Sequence, residues 1–434
     1  MRETHLRQSL IEEMSEMDVI DTHEHLPNES ERLTQQVDFA TLFSHYCHSD
    51  LVAAGMSEAD YLRLTSPGLS VSEKWALLEP YYELISGGGY SRAAHLAMER
   101  FYGISRLGSA ADAEALSDSI RKANKPGLYR RVLKDACRIA TAMNFTGIGA
   151  DREFFTPILF ITQYAEVASL ESLSAVEAEI GASAHTLPRY LDALAAHLER
   201  QRKHGLKGVK FLFAYSRDLR FDPVDHSAAE RLFNRIADES AGRRPSVLGY
   251  EETRPLQDYL LHRLVEIAGD LGLVAVFHTG IQAGNYNDLD NARPTRLWNL
   301  FRRFPNVRFN LLHGGLPFVD EAGILAKYFP NVTVDMAWMH AISPELSVRA
   351  LRAWVDLVPR NKVLGFGGDY QVVEKVYGHL VLARENIAQA LADKVEQGAL
   401  SRQDATAWAR ALLWDNPRAL YHLDSDPYPL SPKP

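Results

Sequence analysis

The sequence predicts an α/β protein whose eight strands form a (β/α)8 TIM barrel. Short apolar runs alternate with helical segments along most of the 434 residues. Most of the runs are continuous in Val, Ile, Leu and Phe, which is typical of parallel strands buried on both faces. Eight such strands alternating with helices indicate a barrel. A doubly wound open sheet would need a Gly-rich first turn to bind a nucleotide, and DTHEHLP after the first strand is not such a turn.

The strands are predicted in order from these runs. The first strand is MDVID (17–21), which leads directly into polar residues. The other seven are TGIGA (146–150), TPILFITQ (156–163), GVKFLF (208–213), LVAVFHTG (273–280), VRFNLLHGG (307–315), NVTVDMAW (331–338) and KVLGFGGD (362–369).

A large helical insertion is predicted after the first strand, over residues 29–130. Apolar residues recur there at spacings of three and four, as in SVSEKWALLEPYYELI and SRAAHLAMERFYGI, and no run is typical of a strand. We therefore expect a single barrel domain over 1–434 with a helical subdomain. The subdomain is expected to cover the mouth of the barrel or to make a subunit contact.

Composition limits the classes of partner and compartment. The chain carries 47 Lys and Arg against 56 Asp and Glu, a net charge of −9, which argues against nucleic acid and anionic membranes. Two cysteines, Cys47 and Cys137, are too few for a disulfide framework and fit a reducing compartment. The charged N-terminus has no apolar signal region, and no window of eighteen residues is apolar throughout. These features predict a cytoplasmic protein with a small-molecule substrate. A homo-oligomer is expected because large barrel enzymes are often oligomeric.

Histidine and aspartate residues stand where predicted strands end, and barrel active sites lie at those ends. His23 and His25 follow the first strand, His278 ends the fifth, His313 the sixth and Asp369 the eighth. Residues i and i+2 of a strand point to one face, so His23 and His25 can converge on one ion. Imidazole and carboxylate together suit zinc, manganese or iron.

Each of these residues also has another interpretation. His23 and His25 could be a surface or hydrogen-bonded pair instead of ligands. His278 is either a metal ligand or a buried neutral histidine bonded to a carbonyl. His313 could bind a second metal, donate to the substrate or act as an acid. Asp369 could bind the ion and act as base, or cap the next helix. Lys210, a lone charge in GVKFLF, could meet an anionic substrate, be carbamylated between two metals, or extend outward to solvent.

Three arginines near strand ends are candidates to bind a substrate carboxylate. Arg217 follows the fourth strand, and Arg293 and Arg296 lie in the polar loop after His278. A guanidinium matches a carboxylate bidentately, so these residues predict a small anionic substrate. The alternative for the loop arginines is an ordinary solvated loop.

Four motifs resemble the amidohydrolase superfamily. They are DTHEH (21–25), FHTG (277–280), LLHGG (311–315) and GGDY (367–370). Within the superfamily, the chain resembles the amidohydrolase 2 group, which contains aromatic-acid decarboxylases and related hydrolases. It is more similar still to the amidohydrolase-like domain fused to a glutamine-synthetase-like domain in some plant and fungal proteins. Uronate isomerase is a more distant member that also carries a helical insertion after its first strand.

The resemblance implies a divalent metal, usually zinc, with manganese or iron as alternatives and with one or two ions. His23, His25 and His278 would be ligands, Asp369 a ligand or general base, and His313 a group that polarises the substrate. Lys210 would be the carbamylated bridge of a two-ion member. The predicted activity is hydrolysis of an amide, lactone or ester of a small acid by a metal-activated water. Non-oxidative decarboxylation, sugar-acid isomerisation and a non-catalytic scaffold remain as alternatives.

Overall fold

The barrel predicted from the sequence is confirmed. The computed structural model describes residues 2–145, 149, 151–238 and 248–425. Eight parallel strands pair in sequence order and form a nearly closed barrel. They are β1 (Val19–Glu24), β2 (Ile139–Asn144), β3 (Phe155–Phe160), β4 (Gly208–Phe211), β5 (Val274–Phe277), β6 (Phe309–Leu311), β7 (Val332–Asp335) and β8 (Val363–Leu364).

The second strand differs from the prediction. It is Ile139–Asn144, whereas four of the five residues of the predicted TGIGA strand lie outside the described residues. The strand reads IATAMN, in which Ala, Thr and Asn interrupt the apolar run. Its burial comes from its place between β1 and β3 rather than from its own composition.

Backbone hydrogen bonds join β1 to the segment that follows β8. The Thr22 N–H donates to the Phe366 carbonyl at 3.0 Å, and the Asp369 N–H donates to the His23 carbonyl at 2.7 Å. The His25 N–H then donates to the Tyr370 carbonyl at 3.1 Å. These bonds join the two edges of the nearly closed sheet and fix the end of the eighth strand beside the end of the first.

Helices surround the barrel and fill the chain between β1 and β2. Those before β2 are α1 (Arg2–Ser15), α2 (Glu29–Thr34), α3 (Cys47–Ala53), α4 (Glu58–Thr65), α5 (Val71–Ile85), α6 (Gly89–Tyr102) and α7 (Ala110–Ala123). The next are α8 (Leu170–Ile180), α9 (Leu187–Lys203), α10 (His226–Asp238), α11 (Tyr250–Asp270), α12 (Trp298–Arg303) and α13 (Val319–Tyr328). The last are α14 (Met339–Ile342), α15 (Pro344–Leu357), α16 (Val373–Glu396), α17 (Arg402–Arg410) and α18 (Asn416–Leu420). None of the described helices has the length and apolar character of a membrane span.

Glycines allow α6 to pack closely on the barrel side. A methyl group on Gly378 of α16 would overlap the backbone of Ala93, and one on Gly89 would overlap the backbone of Ala341. A buried ion pair reinforces the contact, because Arg32 Nη2 lies 3.1 Å from Glu374 Oε1 and both residues are 1% exposed. The helices that follow β1 are therefore held against the barrel by backbone contact and by buried charge.

The barrel interior has an apolar layer and a polar layer. Ile20, Met143 and Ile158 belong to the apolar cluster, and Leu420 and Tyr421 from the end of the chain pack in that cluster. Asp335 is fully buried and accepts hydrogen bonds from Thr22 Oγ1 at 2.9 Å and Asn310 Nδ2 at 2.8 Å. Burial raises the pKa of Asp335 to about 6, although these donors oppose the rise.

His340 on α14 makes the stability of the fold depend on pH. Its Nε2–H donates to the Gly365 carbonyl at 2.9 Å, and its Nδ1 accepts from Asn386 Nδ2. Burial lowers the pKa of His340 to about 4, although the bond to Gly365 opposes the shift. Because an unfolded histidine has a pKa of about 6.5, the unfolded chain binds the extra proton first. The contribution is complete above about pH 6.5 and is lost as the pH falls toward 4.

We expect His340→Asn to flatten this dependence. The variant should lose stability at pH 7, and the free-energy difference from the wild type should shrink by about 2 kcal/mol at pH 5. Urea unfolding at the two pH values measures the change. A difference that does not change with pH would show that His340 titrates normally in the folded protein.

Candidate metal centre

Three predicted ligands converge at the carboxyl end of the barrel. His23 and His25 lie on and just after β1, and Asp369 follows β8. Asp369 Oδ1 lies 3.2 Å from His23 Nε2 and 3.1 Å from His25 Nε2. One ligand atom from each of the three residues lies within 4.8 Å of the others. The i, i+2 spacing on β1 thus places two imidazoles on one face, beside a carboxylate from the paired strand end.

The backbone around this group has the left-handed conformation at three strand ends. His313, Trp338 and Asp369 have φ angles of 60°, 68° and 60°. Such angles are uncommon outside glycine and often occur at functional sites. At Gly368 the contact is so close that a methyl group would overlap the Glu24 carboxylate. The turn after β8 therefore aims Asp369 at the histidines, and its neighbouring residue must be small.

The donor set fits a divalent ion. Asp369 Oδ1 is buried and has no hydrogen-bond partner within the described structure, although two imidazole nitrogens lie close to it. Ligand atoms at 2.0–2.2 Å from a tetrahedral ion are about 3.4 Å apart, which is close to the spacing here. Burial raises the pKa of Asp369, but the adjacent His23 and His25 outweigh this effect and hold it well below its usual range. Burial also lowers the pKa of His23 well below its usual value, so the carboxylate faces a neutral His23 ring.

His278 and His313 form a second pair beside the first group. His278 Nδ1 lies 3.1 Å from His313 Nε2. The opposite nitrogens contact carbonyl oxygens, of Ile281 at 2.9 Å and of Ala337 at 3.0 Å, so those nitrogens carry the protons. Burial lowers the pKa of both rings. Two lone pairs therefore face each other, and this arrangement favours a cation between or beside the two rings.

Lys210 on β4 points into the barrel rather than out to solvent. It is 1% exposed, and its Nζ has no hydrogen-bond partner among the described residues. Its Nζ lies 5.6 Å from the centre of the Phe145 ring. Burial lowers the pKa of Lys210 to about 7, although Asp369 and Asp335 oppose the shift. The outward orientation considered from the sequence is thus wrong, and an amine of near-neutral pKa lies in the site.

These groups line a cavity of about 220 Å³, which we call the catalytic cavity. Tyr215 and Trp338, which stand at predicted strand ends, also line it. The full lining is His23, His25, His45, Tyr46, Lys210, Leu212, Tyr215, His278, Ala283, His313, Trp338, Asp369 and Gln371.

Two lining residues come from the segment between β1 and β2 and were not predicted. His45 and Tyr46 reach the cavity, and the Tyr46 ring stacks on Trp338 at 4.2 Å. Lys375 of α16 holds their loop, because its Nζ donates to the Ser44 carbonyl at 2.7 Å. The sequence signal is the aromatic and histidine cluster FSHYCH. No predicted strand end places this cluster, so the sequence alone does not assign it to the site.

The three predicted substrate-binding arginines lie elsewhere. None of them lines the catalytic cavity. Each guanidinium pairs with a carboxylate: Arg217 Nη2 lies 2.7 Å from Asp258 Oδ1, Arg293 Nε lies 3.1 Å from Glu321 Oε1, and Arg296 pairs with Asp290. Arg217 is also 2% exposed. Their positive charge is neutralised within the protein, so we do not include them among the residues proposed to bind substrate.

Comparison with known proteins identifies the family. The sequence model described as amidohydrolase matches residues 20–423. The chain belongs to the amidohydrolase family. This membership confirms the resemblance seen in the four motifs, and it makes the protein a metal-dependent enzyme of the amidohydrolase superfamily. Members generally bind divalent metals, in agreement with the donor set of His23, His25 and Asp369.

Individual amidohydrolase relatives are distant. Protein fluG of Emericella nidulans is 27% identical over 229 residues, which are 51% of this chain and 26% of that protein. The chain therefore spans about a quarter of the length of this curated relative. Glucuronate isomerase from Caulobacter crescentus has a TM-score of 0.80 at 16% identity, covering 99% of this chain and 96% of that one. Uronate isomerase from Thermotoga maritima has a TM-score of 0.76 at 16% identity, covering 96% and 97%. At such identities the similarity to the isomerases shows a common fold.

Proposed function

We propose that this amidohydrolase is a metal-dependent hydrolase that cleaves an amide, lactone or ester of a small acid. The observation that carries the proposal is the convergence of His23, His25 and Asp369 on a cavity that also contains Lys210. This arrangement combines ligands for an ion, an ionised carboxylate and a buried amine. These are the groups that hydrolysis of a polar carbonyl compound requires.

Within this proposal, His23, His25 and Asp369 would hold the ion, and His278 offers a further lone pair beside them. Zinc suits these nitrogen and oxygen donors, and manganese and iron are also compatible. When bound, a divalent ion supplies a lowered pKa of coordinated water and polarisation of a carbonyl oxygen.

Asp369 is the group proposed to move the proton. Its carboxylate is ionised, because the neighbouring imidazoles hold its pKa low despite burial. It can accept a proton from the attacking water and return it to the leaving nitrogen or oxygen as the carbonyl–heteroatom bond breaks. Neutral His313 cannot donate from Nε2, since its proton is held by the Ala337 carbonyl. We therefore assign His313 to accept a proton or bind a cation, and Lys210 to contact the substrate oxygen.

Isomerisation is the second candidate, and Tyr46 is the observation that favours it. Burial and the nearby Asp369 raise the pKa of Tyr46 well above its usual value, so its hydroxyl keeps its proton. Asp369 could serve as base and the protonated Tyr46 hydroxyl as a hydrogen-bond donor to the substrate oxygen in one cavity. Moving a hydrogen between neighbouring carbons of a hydroxyaldehyde requires such a pair.

Isotope labelling separates the two candidates. The metal-loaded protein would be screened against N-acyl amino acids, lactones and hydroxyaldehydes in water enriched in oxygen-18 and in deuterium oxide. We expect one solvent oxygen in a product acid. An isomeric product with deuterium on carbon, and no product acid carrying solvent oxygen, would favour isomerisation. Failure to bind zinc or manganese would contradict both candidates.

A further inference from the structure

A second cavity opens beside the catalytic cavity. It measures about 410 Å³ and shares two lining residues, His25 and Gln371, with the catalytic cavity. Its other walls include Gln35, Gln36 and Thr65, from the chain between β1 and β2. We call this space the vestibule. The catalytic cavity alone is smaller than the 300–1,000 Å³ of most ligand pockets, whereas the two spaces together fall within that range.

The charges of the vestibule are neutralised by each other. Lys74 Nζ lies 2.6 Å from Asp38 Oδ2, and Lys74 is 4% exposed. The other carboxylate oxygen, Asp38 Oδ1, accepts a hydrogen bond from the Ala40 N–H at 2.9 Å. Neither the ammonium nor the carboxylate is free to pair with a charged ligand. The vestibule therefore gives no advantage to a ligand with an anionic or cationic tail.

Three amide side chains of the vestibule are available for hydrogen bonding to a ligand. Gln35, Gln36 and Gln371 line it, and within the described part of the chain none has a side-chain hydrogen bond to protein. Each amide offers one acceptor oxygen and two N–H donors. Such groups match hydroxyl or amide groups, which both donate and accept.

We propose that the vestibule is a subsite for an uncharged, hydrogen-bonding tail of the substrate. The substrate's carbonyl end would lie in the catalytic cavity, and the tail would pass His25 and Gln371 toward Gln35 and Gln36. The tail is a polyhydroxylated chain or an amide-bearing chain. This inference rests on the proposed function, since the metal centre holds the reacting end.

Hydroxamic acids, which chelate divalent ions, test the subsite directly. Calorimetry on the zinc-loaded protein would compare acetohydroxamic acid with longer ligands that carry different tails. D-gluconohydroxamic acid has a polyol tail and the monohydroxamate of glutaramic acid an amide tail. Glutaric acid monohydroxamate has an anionic tail and hexanohydroxamic acid an apolar one. We expect the polyol or the amide ligand to bind at least tenfold more tightly than the anionic and apolar ligands. The tighter of the two identifies the tail.

Variants of vestibule residues test whether the tighter binding of the favoured long ligand depends on the vestibule. Gln36→Trp should bring the affinity ratio of the favoured long ligand to acetohydroxamic acid close to one, and Gln35→Ala/Gln36→Ala should reduce it without adding bulk. Gln403→Trp, on the exposed surface of α17, is the matched control and should keep the wild-type ratio. Equal binding of all tails would overturn the subsite and leave the metal centre intact. No binding of acetohydroxamic acid would instead contradict the metal centre and, with it, the subsite.

Discussion

Asp369→Asn is expected to abolish the metal centre. Asparagine keeps the shape of the side chain but removes the charge that faces His23 and His25 at 3.1–3.2 Å. We expect metal affinity to fall by at least about 100-fold, because even outer partners of metal ligands contribute 10- to 100-fold. Loss of the proposed base should lower turnover by a further factor of about 10²–10⁴. Elemental analysis of protein purified without a chelator or a histidine tag measures the first effect.

The control for this variant is Asp270→Asn, which changes an exposed aspartate at the end of α11. It should keep the full metal content. One ion per chain in the wild type would agree with Lys210 meeting the substrate, whereas two ions would agree with a carbamylated Lys210 that bridges them. An Asp369→Asn protein that is folded and keeps its metal would refute the proposed ligand set.

Gly378→Ala is expected to destabilise the protein more than alanine at any other glycine described here. The added carbon would overlap the carbonyl of Ala93, and backbone cannot move aside as a flexible side chain can. Overpacking of this kind costs about 1–3 kcal/mol or more. Alanine in a helix otherwise gains about 1 kcal/mol over glycine, so any measured loss is the net result. A lower midpoint in thermal or urea unfolding measures it.

Gly87→Ala is the matched control, since a methyl group there meets nothing within 4 Å and φ lies outside the left-handed region. It should be neutral. If the two variants unfold at the same midpoint, the contact between α6 and α16 is not as close as the structure indicates. If Gly378→Ala unfolds earlier, the helices before β2 contribute to the stability of the barrel.

The barrel could be predicted because its strands are buried on both faces. VAVF in β5 is a continuous apolar run typical of such strands, and the carboxyl ends of parallel strands share one edge of the barrel. His23, His25 and Asp369 could therefore be placed together from the sequence. The second strand could not, since IATAMN has no distinct apolar pattern.

Two parts of the site depended on contacts that no local pattern encodes. His45 and Tyr46 reach the cavity because Lys375, more than 300 positions along the chain, binds the Ser44 carbonyl. Arg217 does not line the cavity, because it pairs with Asp258 of α11. The sequence places that helix only approximately and so does not predict the pair. Contacts between distant parts of the chain, rather than spacing in the sequence, decide which basic side chains remain available for a ligand.

The candidate metal centre lies where β1 bonds to the segment after β8. We call this junction between the first and last strands the seam of the barrel. Thr22 and Phe366, which bond across it, are 344 positions apart. The proposed ligands His23 and Asp369 lie on opposite sides of this seam, so they meet only when the first and last strands have joined. Any free energy gained by binding an ion there is gained by the closed barrel alone and adds to its stability. An ion held by these residues would therefore bridge the first and last strands and link barrel closure to the metal content of the protein.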